Sequence, residues 1–182
     1  MTVLAGPTAV GKGTVSADMR ERYPQVWISV SATTRPPRPG EVDGVHYHFV
    51  DDATFDRMIS GEEFLEWALV HGRHRYGTPR EPVLARLATG QSVLLEIDLA
   101  GARQVRAAMP GARYVFLSPP SWAELERRLV ARATEAAPER EQRLDTARVE
   151  LAAAVEFDHV VVNDDVTRAT DELASVMALP RR

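Results

Sequence analysis

GPTAVGKGTV, residues 6–15, follows a four-residue apolar run, Thr2 to Ala5, and opens a helical pattern. It nearly spells the phosphate-binding loop G-x-x-x-x-G-K-[ST], with Gly6, Gly11 and Lys12 in place and Gly13 where the serine or threonine belongs. That hydroxyl ordinarily ligates Mg²⁺, so the departure touches the metal and leaves the phosphate cradle intact. Lys12 is the single lysine among 22 basic residues, the other 21 being arginine. A lysine is a compact charge on a flexible stem and threads to a phosphate where the wider guanidinium fork does not. The loop also lies between a strand and a helix, as the motif requires.

Working outward, apolar runs at 2–5, 27–30, 92–97, 114–117 and 159–162 read as five short buried strands. Helical patterns at 14–22, 99–109, from Ser121 onward, about 139–155 and about 167–179 separate them. This alternation predicts an α/β fold, a five-stranded parallel sheet covered on both faces. Ligands in such sheets gather at the carboxyl ends of the strands, where residues 6–14 lie.

Two stretches break the alternation. Residues 33–88 begin with TTRPPRPGEVDG and continue with a short strand near 46–50, a helix at 52–60 and the run 63–70, the size of an inserted lobe. Residues 133–142, ATEAAPEREQ, are small, polar and charged, and read as a flap between two helices or as an ordinary surface loop. His46 and His48 alternate along a strand, but no third ligand has metal-site spacing.

With 182 residues, 45% hydrophobic and 26% charged, the sequence suits one globular domain with a substantial core. No apolar run nears the roughly 18 residues of a membrane span. The chain enters its first strand at once, leaving no room for a signal peptide, and it has no cysteine. These features predict a cytoplasmic protein. A net charge of −4 speaks against broad nucleic-acid binding, so any polyanion must be caught locally.

VSATTRPPRPGEVDGVHYHFV (30–50), EEFLEWALVHG (62–72), VLLEIDLAGARQV (93–105), LSPPSWAELERRL (117–129) and VVVNDD (160–165), in this order behind the phosphate loop, resemble guanylate kinase. The resemblance spans residue 3 to about 175 and implies a P-loop kinase core (1–32, 89–131 and 146–182), a GMP-binding lobe (33–88) and a helical lid (132–145). It implies transfer of the ATP γ-phosphate to GMP or dGMP with Mg²⁺, in purine metabolism, with no obligatory protein partner and no role for nucleic acid or membrane. The ATP phosphates would fall to Gly6, Pro7, Thr8, Ala9, Val10, Gly11, Lys12, Gly13 and Thr14, with Asn163 near the adenine. The GMP phosphate would meet Arg35, Arg38, Tyr47 and Tyr76; guanine would meet Ser31, Glu66, Thr78 and the Glu96/Asp98 pair. Lys12, Arg35 and the lid arginines Arg132 and Arg143 would clamp the transferring phosphoryl group. Mg²⁺ would be held through nucleotide phosphates and water.

The residue chemistry agrees with these assignments. Guanine presents N1–H and N2–H donors beside the O6 acceptor, which suits a carboxylate such as Glu66 and a donating hydroxyl such as Thr78. Adenine leaves such a carboxylate without donors, a mismatch worth about 10⁴ or more in discrimination. Prolines around Arg35 and Arg38 fix φ and lower the entropy lost on presenting two forks to a phosphate.

The sequence departs from the family at Gly13, at Ala133, where the lid motif usually has glycine, and in HGRHRYGT, which carries an extra residue before Tyr76. The GKGT form of the loop is also familiar from adenylate kinases. Two other functions fit parts of the pattern. A non-catalytic module binding a protein partner is opposed by Lys12 and the lid arginines. A kinase for another nucleoside monophosphate is opposed by the Glu66/Thr78 match to guanine.

Overall fold

In the structure, a computed structural model describing residues 1–70, 72–131 and 137–179, nine strands and seven helices are found. They run β1 (Thr2–Ala5), α1 (Lys12–Arg22), β2 (Val26–Ile28), β3 (Ala32–Thr33), β4 (His48–Phe49), α2 (Asp52–Ser60), β5 (Phe64–Val70) and β6 (His74–Pro79). There follow α3 (Arg80–Ala88), β7 (Ser92–Glu96), α4 (Leu99–Ala108), β8 (Arg113–Ser118), α5 (Trp122–Ala131), α6 (Ala137–Ala152), β9 (His159–Val162) and α7 (Val166–Val176), with a 3₁₀ turn at Ala153–Glu156.

The larger sheet has the order β2-β7-β1-β8-β9 with every pair parallel, as the alternation predicts. Successive strand side chains point to opposite faces, so a strand covered on both sides must be apolar throughout. In β1, Leu4 joins Leu94, Val115, Leu117 and Val161 beneath Val15, Met19, Leu125 and Leu173. Val3 and Ala5 turn the other way and join Val93, Leu95 and Tyr114 against Val83 of α3 and Ala102 and Val105 of α4. The first strand therefore sits at the centre of two cores, and the loop leaving it inherits that rigidity.

A second, four-stranded sheet has the order β4-β3-β6-β5. Its own small core is Ala32, Phe55 and Phe64, closed by Val50, Met58 and Ile59, mostly from α2. Asp51 caps α2 by accepting from Thr54 N, and the helix spans the residues expected.

Several boundaries differ from the sequence expectation. The strand expected at 27–30 is Val26–Ile28, and the strand near 46–50 shortens to His48–Phe49, because Gly44 N donates to Tyr47 O in a preceding turn. Helix α3 has no counterpart among the helical patterns read from the sequence, and Pro79 and Pro82 stand at its start. They occupy the N-cap and the first turn, where a helix needs no amide donor. Likewise α6 begins at Ala137 with Pro138 in its first turn, so residues 137–142 of the expected flap are helical, while 133–136 lie outside the described residues.

Candidate active site

The phosphate-loop motif is held in shape by close contacts that only glycine permits. At Gly6 (φ 154°) a Cβ would lie 2.4 Å from Leu117 O; at Gly11 (φ 100°) it would lie 2.4 Å from Asn163 Nδ2. Asn163 is buried, and its amide donates to Val10 O at 2.8 Å. Arg128 Nη1 donates to the same carbonyl at 3.2 Å. Asn163 thus braces the loop and also lines a second cavity of about 320 Å³ with Arg128, Asp164 and Val166.

Helix α1 starts at Gly11 without a side-chain cap, whereas α2, α4 and α7 are each capped by an aspartate. An uncapped N-terminus leaves backbone N–H groups and the positive end of the helix dipole for an anion. Lys12 curls over this end and donates to Gly6 O at 2.6 Å and Pro7 O at 3.4 Å. Thr8 N donates to Glu150 Oε2 of α6 at 3.1 Å. Burial pushes the Glu150 carboxyl up, opposed by that N–H and by the Lys12 charge.

The loop forms one wall of a cleft of about 850 Å³. Pro7, Thr8, Ala9, Gly11, Lys12, Gly13 and Thr14 line that wall. Ser31, Arg38, Tyr47, Glu66 and Tyr76 face it from the second sheet and its loops; Glu96 and Asp98 close its floor, and Arg143 enters from α6. The carboxyl end of the parallel sheet therefore meets nearly all the residues singled out in the sequence. Arg132 lies outside the described residues.

Arg35 stands just behind the wall, only 8% exposed. It donates to Tyr76 Oη at 3.1 Å, Pro36 O at 2.7 Å and Glu41 Oε1 at 2.8 Å. Its guanidinium lies over the Tyr47 and Phe49 rings, and Tyr47 meets Tyr76 edge to face at 5.7 Å. Glu41 Oε2 accepts from Arg38 N at 2.7 Å, so one carboxylate fixes both arginines. Hydrogen bonding to Arg35 holds the Glu41 carboxyl below its usual range. Burial and the nearby Glu96 charge push the Tyr47 phenol up to about 12. Sequence reasoning passed over Glu41; the signal was an acid three residues after Arg38 in a loop rich in arginine.

Glu66, 5% exposed, carries the most perturbed carboxyl of the cleft, pushed up to about 7 by burial and further by Asp98, while Thr78 pulls it down. Thr78 Oγ1 donates to Glu66 Oε1 at 2.6 Å and is fully buried. Thr78 therefore stands directly behind the carboxylate and holds it in place. Gly101 of α4 lies so close that a Cβ there would sit 2.5 Å from Glu66 Oε2. Its N–H donates to Asp98, the N-cap of that helix, at 2.7 Å.

At Gly13 the nearest atom to an added Cβ would be Glu96 Oε1, at 3.7 Å. The missing hydroxyl therefore leaves open space facing a carboxylate.

A sequence model of the family described as guanylate kinase matches residues 1–179. The chain belongs to the guanylate kinase family. It is 65% identical over 177 residues to guanylate kinase of Leifsonia xyli, covering 97% of this chain and 70% of that one. To guanylate kinase of Thermobifida fusca it is 62% identical over 180 residues, covering 99% and 91%. The crystal structure of guanylate kinase from Anaplasma phagocytophilum superposes with a TM-score of 0.81 at 34% identity, over 98% of this chain and 84% of that one. Shikimate kinase from Bacteroides thetaiotaomicron shares the fold alone, with a TM-score of 0.53 at 13% identity over 98% of each chain. The five-stranded parallel sheet is thus a P-loop kinase core, and membership of the guanylate kinase family makes the protein a nucleoside monophosphate kinase. Among the described residues, no helix is long and apolar enough to cross a membrane.

Proposed function

We infer that the protein transfers the γ-phosphoryl group of ATP to GMP or dGMP, giving ADP and the corresponding diphosphate. The observation that carries this reading is the buried carboxylate of Glu66, which shares one cleft with the phosphate loop and the Arg38/Tyr47/Tyr76 wall. A carboxylate there accepts from guanine N1–H and N2–H; adenine offers no such pair of donors. Ser31, which lines the cleft, and Thr78, hydrogen-bonded to Glu66, supply the hydroxyls assigned to the guanine edge.

The reading divides the chain into a core, a GMP lobe at 33–88 and a lid at 132–145. Arg38, Tyr47 and Tyr76 bind the GMP phosphate, with Arg35 supporting them through Tyr76 and Glu41. Loop N–H groups and Lys12 hold the ATP phosphates, and the cavity beside Asn163 takes the adenine. The acceptor is a phosphate monoester, largely dianionic at neutral pH, so it attacks the γ-phosphorus without a general base. The P–O bond to the β-phosphate breaks and its electron pair leaves with ADP. The protein's task is to bring two polyanions into line, a matter of positioning and positive charge. Lys12 and Arg143 face the cleft for that purpose, with Arg132 of the lid assigned the same role.

The cleft fits a magnesium ion carried by the nucleotide. Glu96 and Asp98 are hard oxygen donors on its floor, and the space at Gly13 opens toward Glu96. Mg²⁺ keeps several waters and takes few protein ligands, so these carboxylates would hold its water shell. When bound it neutralises charge on the transferred phosphoryl group. ATP, GMP and the ion are the only partners this reading requires. It places the protein in the purine nucleotide metabolism of the cytoplasm.

Phosphorus NMR of the protein with ATP, Mg²⁺ and GMP tests it. The β-phosphate resonances of GDP and ADP should grow together as ATP declines. ATP loss giving only ADP and inorganic phosphate, with no GDP, would overturn the assignment.

A further inference from the structure

Strand β5 is the free edge of the second sheet, and an edge strand presents alternate N–H and C=O groups with no strand to receive them. At Trp67 both groups are taken by one side chain from the other half of the molecule. Gln104 of α4 accepts from Trp67 N at 3.2 Å and donates to Trp67 O at 2.8 Å. Among the side chains only a primary amide offers donor and acceptor in this arrangement, so the contact fixes register as well as distance. Trp67 follows Glu66 directly. On the same helix, one turn earlier, Gly101 leaves just enough room for Glu66 Oε2. Leu65, on the other side of Glu66, is buried in the cluster containing Ala102 and Val105 of α4. The backbone on both sides of the carboxylate is therefore tied to α4.

We propose that Gly101 and Gln104 are positioning residues for Glu66, setting how strictly the cleft reads the guanine edge. Neither lines the cleft, and both act through the carboxylate. The proposal rests on Glu66 being the base-reading group. Substitution of Gln104 by leucine removes both hydrogen bonds at similar volume and frees the strand to shift. Substitution of Gly101 by alanine places a methyl group against a flexible carboxylate end, so the carboxylate moves while the helix keeps its fold.

IMP is a sensitive probe because it has the guanine N1–H and O6 and lacks the 2-amino group. We would measure kcat and KM for GMP and IMP in wild type, Glu66→Gln, Gln104→Leu, Gly101→Ala and the Glu66→Gln/Gln104→Leu double variant. Gln104→Leu and Gly101→Ala should each lower the GMP-over-IMP ratio of kcat/KM by about fivefold or more, mainly through the GMP KM, with the ATP KM unchanged. The double variant should show nearly the ratio of Glu66→Gln alone, because both changes act through one group. A ratio kept at wild type in both single α4 variants, or additive losses in the double variant, overturns the positioning role. An unchanged ratio in Glu66→Gln itself instead overturns the base-reading assignment beneath it. Should Gln104→Leu fail to fold, Gly101→Ala decides the matter through the same ratio.

Discussion

Thr78 Oγ1 donates to Glu66 Oε1 at 2.6 Å, with both side chains buried beneath the cleft. The bond favours the ionised carboxylate, yet burial outweighs it and holds the group near 7 against an ordinary value of 4.5. The folded state then binds the Glu66 proton more tightly than the unfolded chain does. Ionisation of Glu66 therefore erodes stability as pH rises from about 4.5 to 7, by up to roughly 3 kcal/mol at 1.36 kcal/mol per unit. Glu66→Gln, neutral in both states, escapes that loss. Thermal unfolding should show the variant more stable than wild type at pH 8 and nearly equal to it at pH 5. A wild type at least as stable as the variant at pH 8 would contradict the buried-charge account.

The Glu41 carboxylate ties the Arg35 guanidinium to the Arg38 backbone. Glu41→Ala should release this loop and raise the GMP KM by about tenfold, the worth of one charge-assisted hydrogen bond. The ATP KM should stay close to wild type. Steady-state kinetics with each substrate varied in turn would check this, and an unchanged GMP KM would remove Glu41 from the phosphate site.

Lys12→Ala removes the only lysine in the chain from the mouth of the phosphate loop. Activity should fall at least about 100-fold, corresponding to about 2.7 kcal/mol of transition-state stabilisation. The melting temperature should stay near that of wild type. Near-normal activity would mean that arginines alone carry the charge.

The parallel core was legible because its signals are local: runs of four to six apolar residues and a glycine-rich turn between a strand and a helix. The cleft residues were legible because motifs carried them, and the fold brings Lys12, Ser31, Arg38, Glu66 and Asp98 to one cavity. Contacts across long separations have no such signature. Glu150 reaches Thr8 across 142 residues and Gln104 reaches Trp67 across 37, and in the sequence both are ordinary polar helix positions. Thr78 was found by its motif, but its hydrogen bond to Glu66 was not legible, since the direction of a hydroxyl proton is set by its buried neighbour. Helix α3, with Pro79 at its N-cap and Pro82 in its first turn, was not among the patterns read from the sequence.

The open space at Gly13 bears on the metal. A serine there would carry its hydroxyl beside Glu96, since its Cβ would stand 3.7 Å from Glu96 Oε1. Gly13→Ser should therefore lower the Mg²⁺ concentration giving half-maximal rate and leave the GMP KM nearly unchanged. Magnesium titrations of both proteins at fixed ATP and GMP would show this. Activity without any divalent ion, or a serine variant needing more magnesium, would overturn the role given to the loop.

The central claim is that a buried carboxylate makes the cleft a reader of guanine. Its most direct test is ADP release coupled to NADH oxidation, with GMP, dGMP, AMP, CMP and UMP as acceptors at equal concentration. GMP should be the best acceptor, dGMP next, and kcat/KM for AMP should be lower by about 10⁴ or more, as expected when a buried acceptor loses its donors. Transfer to AMP as fast as to GMP would contradict the account.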